Sequence, residues 1–212
     1  LRNHTFKVAA DPGCGAATLP TPFSLRRLGC RVITLNAQTD GTFPGRNPEP
    51  TGNEINDLKA AVTSAGADIG VAHDCDADRA VFVDEKGRFV NEDVLLAIMT
   101  EHILKKNRGA TVVTPVSSSA LIQDIADKYD AKVIWTQVGS IYVARTMMAT
   151  GAVFGGEGNG GLIFPKFQYC RDGGMSAASM LEMLAKTGKR LSDLVDAMPS
   201  YHSVKEKIKC KD

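Results

Sequence analysis

The sequence holds 212 residues, 43% of them hydrophobic and 23% charged, with a formal net charge of +1 at pH 7, a balance that suits a globular chain of one large or two ordinary domains. Near-neutral charge without a concentrated basic patch gives no reason to expect nucleic acid or a membrane surface as a partner. The longest apolar run, Val94 to Met99, is far short of the roughly 20 residues a bilayer span needs. Five cysteines form no Cys-x-x-Cys pair, which argues against a disulfide framework or a structural zinc site and fits a soluble protein of the reducing cytoplasm.

In chain order, Lys7 to Asp11 reads as a strand, Pro12 to Gly15 as a glycine turn, and Thr21 to Leu28 as a helix stopped by Gly29. A strand follows at Arg31 to Leu35. Residues 36–53, rich in Asn, Gly and Pro, predict a long surface loop, and Glu54 to Ser64 a helix ended by Gly66. Next come an apolar strand (Ile69, Val71, Ala72), an acidic loop, a second apolar strand (Ala80 to Val83) and a turn at Glu85 to Arg88. Glu92 to Lys106 predicts a strong amphipathic helix. The pattern then repeats: strand Thr111 to Thr114, a turn at Pro115 to Ser119, helix Ala120 to Tyr129, strand Lys132 to Thr136, helix Tyr142 to Thr150, and a strand starting at Val153 and Phe154. A glycine-rich loop at Gly155 to Gly161, strand Leu162 to Pro165 and helix Ser176 to Thr187 complete it. Two similar units in tandem, with a boundary near residues 88 to 93, predict two three-layer α/β/α domains with mixed sheets, over 1–89 and 90–200. Val204 to Cys210 alternates in the manner of a strand with nothing after it to pair with. With a start at Leu1 rather than Met, this suggests a piece cut from a longer protein.

The acidic loop Asp74-Cys-Asp-Ala-Asp-Arg79 carries the chemistry. Three carboxylates at alternate positions repel one another unless a hard divalent ion sits among their oxygens, and the arginine beside them supplies planar donors suited to a phosphate. A solvated acidic turn explains neither the alternation nor the apolar flanks. An EF-hand loop would need glycine where Arg79 stands, and helices rather than strands on either side. The strand-end Asp-x-Asp of haloacid-dehalogenase-like phosphotransferases, with Asp74 as nucleophile, matches in part. Glu157 alone reads as a surface carboxylate, the usual fate of glutamate, but the glycines around it permit a close backbone approach to a ligand. Ser117 to Ser119 read as helix capping, His73 as a packed neighbour of the loop, and Trp135 as core.

Asp-Cys-Asp-Ala-Asp-Arg resembles the Asp-Gly-Asp-Ala-Asp-Arg magnesium loop of the α-D-phosphohexomutases. Gly156-Glu-Gly-Asn-Gly-Gly161 is similar to that family's sugar-recognition loop in its Glu-Asn-Gly-Gly form. Asp40-Gly-Thr-Phe-Pro44 with Pro48-Glu-Pro50, Thr136-Gln-Val-Gly139 with Tyr142-Val143, and Arg171-Asp-Gly173 extend the likeness over essentially the whole chain. The resemblance implies that Asp74, Asp76 and Asp78 hold Mg2+, that Arg79 stabilises a transferring phosphate, and that Gly156, Glu157 and Asn159 bind the sugar. It further implies that the chain is domains 2 and 3 of a four-domain enzyme for hexose phosphates, with 201–212 opening domain 4. The nucleophile serine loop of domain 1 and the phosphate loop of domain 4 are missing, so the piece alone is expected to be inactive. A free-standing phosphosugar or metal-binding module and a haloacid-dehalogenase-like phosphatase remain as alternatives. Cys75 stands where the family usually has glycine, a substitution expected to be accommodated, to distort the loop or to add an oxidisable thiol.

Overall fold

The computed structural model describes residues 5–201; the strand expected over Val204 to Cys210 lies outside them. The elements are β1 (Lys7–Asp11), a 3-10 turn at Ala16–Thr18, α1 (Pro20–Arg27), β2 (Arg31–Thr34), α2 (Asn56–Ala65), β3 (Ile69–His73), β4 (Ala80–Asp84) and α3 (Glu92–Leu104). There follow β5 (Thr111–Pro115), α4 (Leu121–Lys128), β6 (Lys132–Thr136), α5 (Ser140–Thr150), β7 (Phe154–Gly156), β8 (Leu162–Ile163), α6 (Gly173–Thr187) and α7 (Leu191–Asp196). Apart from α7, each of these helices and strands corresponds to one expected from the sequence.

Two four-stranded sheets form, ordered β2-β1-β3-β4 and β6-β5-β7-β8. In each, the first three strands are parallel and the last is antiparallel. The antiparallel partner needs only a short connection, so residues 74–79 and 157–161 are left as tight loops beyond the carboxyl ends of β3 and β7, where open α/β sheets bind ligands. Alternation along the strands divides the packing. In the first sheet Ala9, Ala72, Val81 and Val83 face α2 with Leu58 and Val62, while Val8, Ala10, Ile69, Val71 and Phe82 join the large core on the other side. In the second, Val113 and Ile163 face α5 with Val143 and Met147, while Val112, Phe154 and Leu162 turn to that same large core.

The layer between the sheets is built by exchange. Helix α3, which follows the first sheet in sequence, packs on β7 and α4 of the second, and α6, which follows the second sheet, packs on β4 and α1 of the first. Ala177 and Leu181 of α6 meet Val8, Leu25, Ile69, Val71 and Phe82. Burying such a side chain fully is worth roughly 1.5–3 kcal/mol, so the first sheet takes one of its covering layers from the far half of the chain.

Three expectations change. Helix α3 is not amphipathic: Leu95 to Thr100 are buried in one continuous run, and Asp93, His102 and Leu104 are buried too. A helix enclosed on all sides has no need of a polar face. Trp135 is not core, since β6 is an edge strand and leaves this residue 37% exposed. The loop over 36–53 is not wholly at the surface, for Arg46 is buried within it. The N-cap of α4 is Ala120, which has no capping side chain; the preceding Ser119 hydroxyl accepts from the Leu121 amide at 3.2 Å.

Candidate active site

The end of β3 is fixed from below. Arg46 Nε donates to Asp11 Oδ2 at 2.9 Å and Arg46 Nη2 to the His73 carbonyl at 2.6 Å, so the last residue of β3 is tied to the last residue of β1. His73, fully buried, lies with Nδ1 2.9 Å from the Arg79 carbonyl and Nε2 3.1 Å from Thr21 Oγ1. Burial holds its pKa below the ordinary imidazole value, so the neutral ring donates to one of these neighbours and accepts from the other. It is the packed neighbour expected, and it closes the loop 74–79 at both ends.

Within that loop Asp74, Asp76 and Asp78 bring carboxylate oxygens within 4.8 Å of one another, from buried Asp74 to exposed Asp76. Both oxygens of Asp74 accept from Arg79: Oδ1 from the backbone amide at 3.1 Å and Oδ2 from Nε. That occupancy does not suit a nucleophile. The other face of the Arg79 guanidinium is bidentate to Glu49, with Nη1 at 2.9 Å and Nη2 at 2.6 Å. Asp78 Oδ1 is buried without a hydrogen bond, 3.7 Å from Arg79 Nε. Burial first, and then the neighbouring Asp74 and Asp76, push the Asp78 pKa up. Three converging hard oxygens, one of them an orphaned buried acceptor, fit a divalent cation such as Mg2+. Cys75 fits the loop because it is Ala77, with φ 63°, that takes the left-handed conformation; the Cys75 carbonyl accepts from the Ala16 amide at 2.8 Å and its thiol faces solvent.

The glycine-rich loop lies against this one. The Ala80 amide donates to the Gly160 carbonyl at 3.1 Å. Gly160 is at φ +86°, where a Cβ would stand 2.7 Å from the Ala80 carbonyl, so neither the turn nor the close approach tolerates a side chain. Glu157 is buried, with Oε1 accepting from the Gly139 amide at 3.2 Å and Oε2 from Arg171 Nη1 at 2.9 Å. Arg171 Nη2 donates to Asp78 Oδ2. One guanidinium therefore spans the acidic loop of the first sheet and the glutamate loop of the second. Asn159 accepts from the Gly161 amide at 3.1 Å and shapes its own loop. Gly156 lies inside β7, its carbonyl accepting from Thr114 Oγ1 at 2.9 Å.

The sequence matches a family model described as phosphoglucomutase/phosphomannomutase, alpha/beta/alpha domain II, over residues 1–87, and its companion for domain III over residues 91–201. The chain belongs to this family. It is 46% identical over 200 residues to a phosphoglucomutase/phosphomannomutase of Thermococcus kodakarensis, covering 94% of this chain and 44% of that protein. To a probable phosphoglucosamine mutase of Methanosarcina barkeri it is 45% identical over 206 residues, covering 97% of this chain and 46% of that one. The crystal structure of a phosphoglucomutase/phosphomannomutase family protein from Burkholderia thailandensis matches with a TM-score of 0.87 at 27% identity, over 93% of this chain and 43% of the other. The chain thus spans a little under half the length of the relatives it matches.

In this phosphoglucomutase/phosphomannomutase family chain, the residues expected from the sequence fall into two groups that Arg171 bridges: the aspartates with Arg79, and Glu157 with its loop. Three neighbours of these residues escape sequence reasoning as site residues. Arg171 and Glu49 stand only inside family-like stretches, and Arg46 gives no signal, because a buried arginine in a polar loop is legible only once its acceptors are placed. Among the described residues no helix is long and apolar enough to cross a membrane.

Proposed function

We propose that this chain is the cation- and sugar-binding half of a phosphohexomutase, a phosphotransferase that interconverts hexose 6-phosphate and hexose 1-phosphate through a phosphoserine and a bisphosphorylated sugar. Mannose and glucose phosphates are the expected substrates. The observation that carries this reading is the Arg171 bridge, which brings Asp78 and Glu157 to one guanidinium, the closeness that a substrate touching both a cation and a sugar-binding carboxylate requires.

Asp74, Asp76 and Asp78 would hold Mg2+, which when bound supplies positive charge where phosphoryl oxygens gather, a main source of rate enhancement in phosphoryl transfer. Arg79 is aligned by Asp74 and presents its other edge to Glu49; an arriving phosphate takes the place of that exposed carboxylate, since a guanidinium serves phosphate and carboxylate with the same fork. Glu157, fixed by the Gly139 amide and Arg171, accepts sugar hydroxyls, and Asn159 keeps the loop in shape around them. No Ser-His-Asn-like nucleophile loop and no Arg-x-Ser-Gly-Thr-like phosphate loop occur in the 212 residues, so the chemical step needs groups supplied by the rest of the parent protein, and the domains are read as 1–89 and 90–200 of that longer chain. The parent is read as cytoplasmic.

The test is calorimetric titration of the pure chain with Mg2+ and with glucose, mannose and glucosamine phosphates, the last because some relatives bear that sugar in their names. Weak Mg2+ binding that is lost in Asp74→Asn and Asp76→Asn, hexose phosphate binding that falls at least tenfold in Glu157→Gln, and no turnover are expected. Turnover by the pure chain, or release of inorganic phosphate that depends on Asp74, would overturn the reading.

A further inference from the structure

Arg171 is placed where a residue concerned only with stability has little reason to be. It reaches from one sheet's loop to the other's, donates Nη1 to Glu157 Oε2 at 2.9 Å and Nη2 to Asp78 Oδ2, and leaves its own Nε buried and unpaired. Its partner Asp78 likewise keeps one oxygen, Oδ1, buried without a hydrogen bond and only 3.7 Å from Arg79 Nε. Two polar atoms without hydrogen bonds on the two members of one ion pair are costly, since each has given up the hydrogen bonds that water would supply. The pair is half-made. Asp78 has oxygen to spare for a cation, and Arg171 has a donor to spare once Asp78 turns away.

We propose that Arg171 is a positioning residue that couples the two loops: a divalent cation drawn by Asp74, Asp76 and Asp78 relieves Arg171 of Asp78 and commits it to Glu157. The inference rests on the cation reading given above and extends it. The physical reason is competition for one carboxylate. With no cation, the Arg171 guanidinium and, at 3.7 Å, Arg79 are the positive groups beside Asp78. A divalent ion offers twice the charge at shorter range and repels the guanidinium, whose other acceptor is Glu157. Glu157 is held at its second oxygen by the Gly139 amide, so a change in the hold of Arg171 is felt at that amide. Occupation of the acidic loop thereby sets the orientation of the sugar-facing carboxylate, and by reciprocity a ligand engaging Glu157 alters cation affinity.

The experiment uses amide NMR spectra of the whole chain titrated with Mg2+ alone. The Arg79 amide donates to Asp74 Oδ1 and reports the cation directly; the Gly139 amide reports Glu157. Both are expected to shift together, with the same apparent affinity. In Arg171→Gln, and independently in Glu157→Gln should the first variant fold poorly, the Arg79 amide still shifts while the Gly139 response is lost. A wild-type chain in which Arg79 responds and Gly139 does not overturns the coupling and leaves cation binding intact, as does a Gly139 shift that survives both substitutions. A wild-type chain in which neither amide responds overturns the cation reading itself.

Discussion

At the scale of single residues, burial has turned ordinary side chains into fixed parts. His102 sits near the carboxyl end of α3, 8% exposed, with its pKa lowered to about 4 by burial and by the neighbouring Lys106, Lys186 and Lys105. An imidazole that titrates near 6.5 in the unfolded chain then takes up its proton there before it can do so in the folded one. The stability it contributes is complete above pH 6.5 and drains away as the pH falls toward 4. Thermal unfolding followed from pH 7 to pH 4 is expected to show a falling midpoint, and His102→Gln to flatten that fall; an unchanged slope in the variant would refute the assignment. His73, also depressed, acts in the same direction.

At the scale of elements, the start of α6 matters most. Asp172 caps it by accepting from the Met175 amide at 2.7 Å, and the Gly173 amide donates to the Ala77 carbonyl at 3.1 Å. A Cβ on Gly173 would stand 2.4 Å from the Arg79 carbonyl and 2.6 Å from His73 Nδ1. Gly173→Ala is therefore expected to lose about 1–3 kcal/mol of stability despite the better helix propensity of alanine, because overpacking outweighs it. It should also weaken Mg2+ binding, since the atoms displaced belong to the acidic loop. Gly174→Ala, which meets a single Asp172 oxygen at 3.3 Å, serves as the control: chemical denaturation that ranks the two variants equally would contradict the role of packing at Gly173.

At the scale of the whole molecule, the exchange of α3 and α6 makes the two sheets one folding unit. Residues 1–89 made alone would leave Val8, Leu25, Ile69, Val71 and Phe82 without Ala177 and Leu181. They would also lose the clasp in which Glu85 accepts from the Ser192 amide at 3.3 Å and from its hydroxyl, and Arg88 Nη1 meets Asp196 Oδ1 at 2.8 Å. The whole chain is expected to unfold in a single cooperative transition, and the 1–89 piece to bind hydrophobic dyes and lack one. A sharp transition in that piece would show the first sheet to be self-sufficient.

The sequence by itself determined the order and kind of nearly all the elements, because period and turn residues are local: an apolar pair of strands around Asp74 to Arg79 and glycines around Glu157 can be read in a dozen residues. It also carried the family, since Asp-Cys-Asp-Ala-Asp-Arg and Glu-Gly-Asn-Gly-Gly stand in order along one chain. It left α7 unseen, a six-residue helix too short to establish a period. It pointed to an amphipathic α3, because a helix enclosed by a strand and neighbouring helices differs from one lying on a surface only through what surrounds it. The tertiary structure alone decided that α3 and α6 change places, that Arg46 is buried against Asp11 and His73, and that Arg79 is shared between Asp74 and Glu49. It alone brought Asp78 and Glu157, 79 positions apart in the numbering, to the two ends of Arg171. Contacts of that kind depend on how two sheets face each other, and no local pattern of residues encodes that distance.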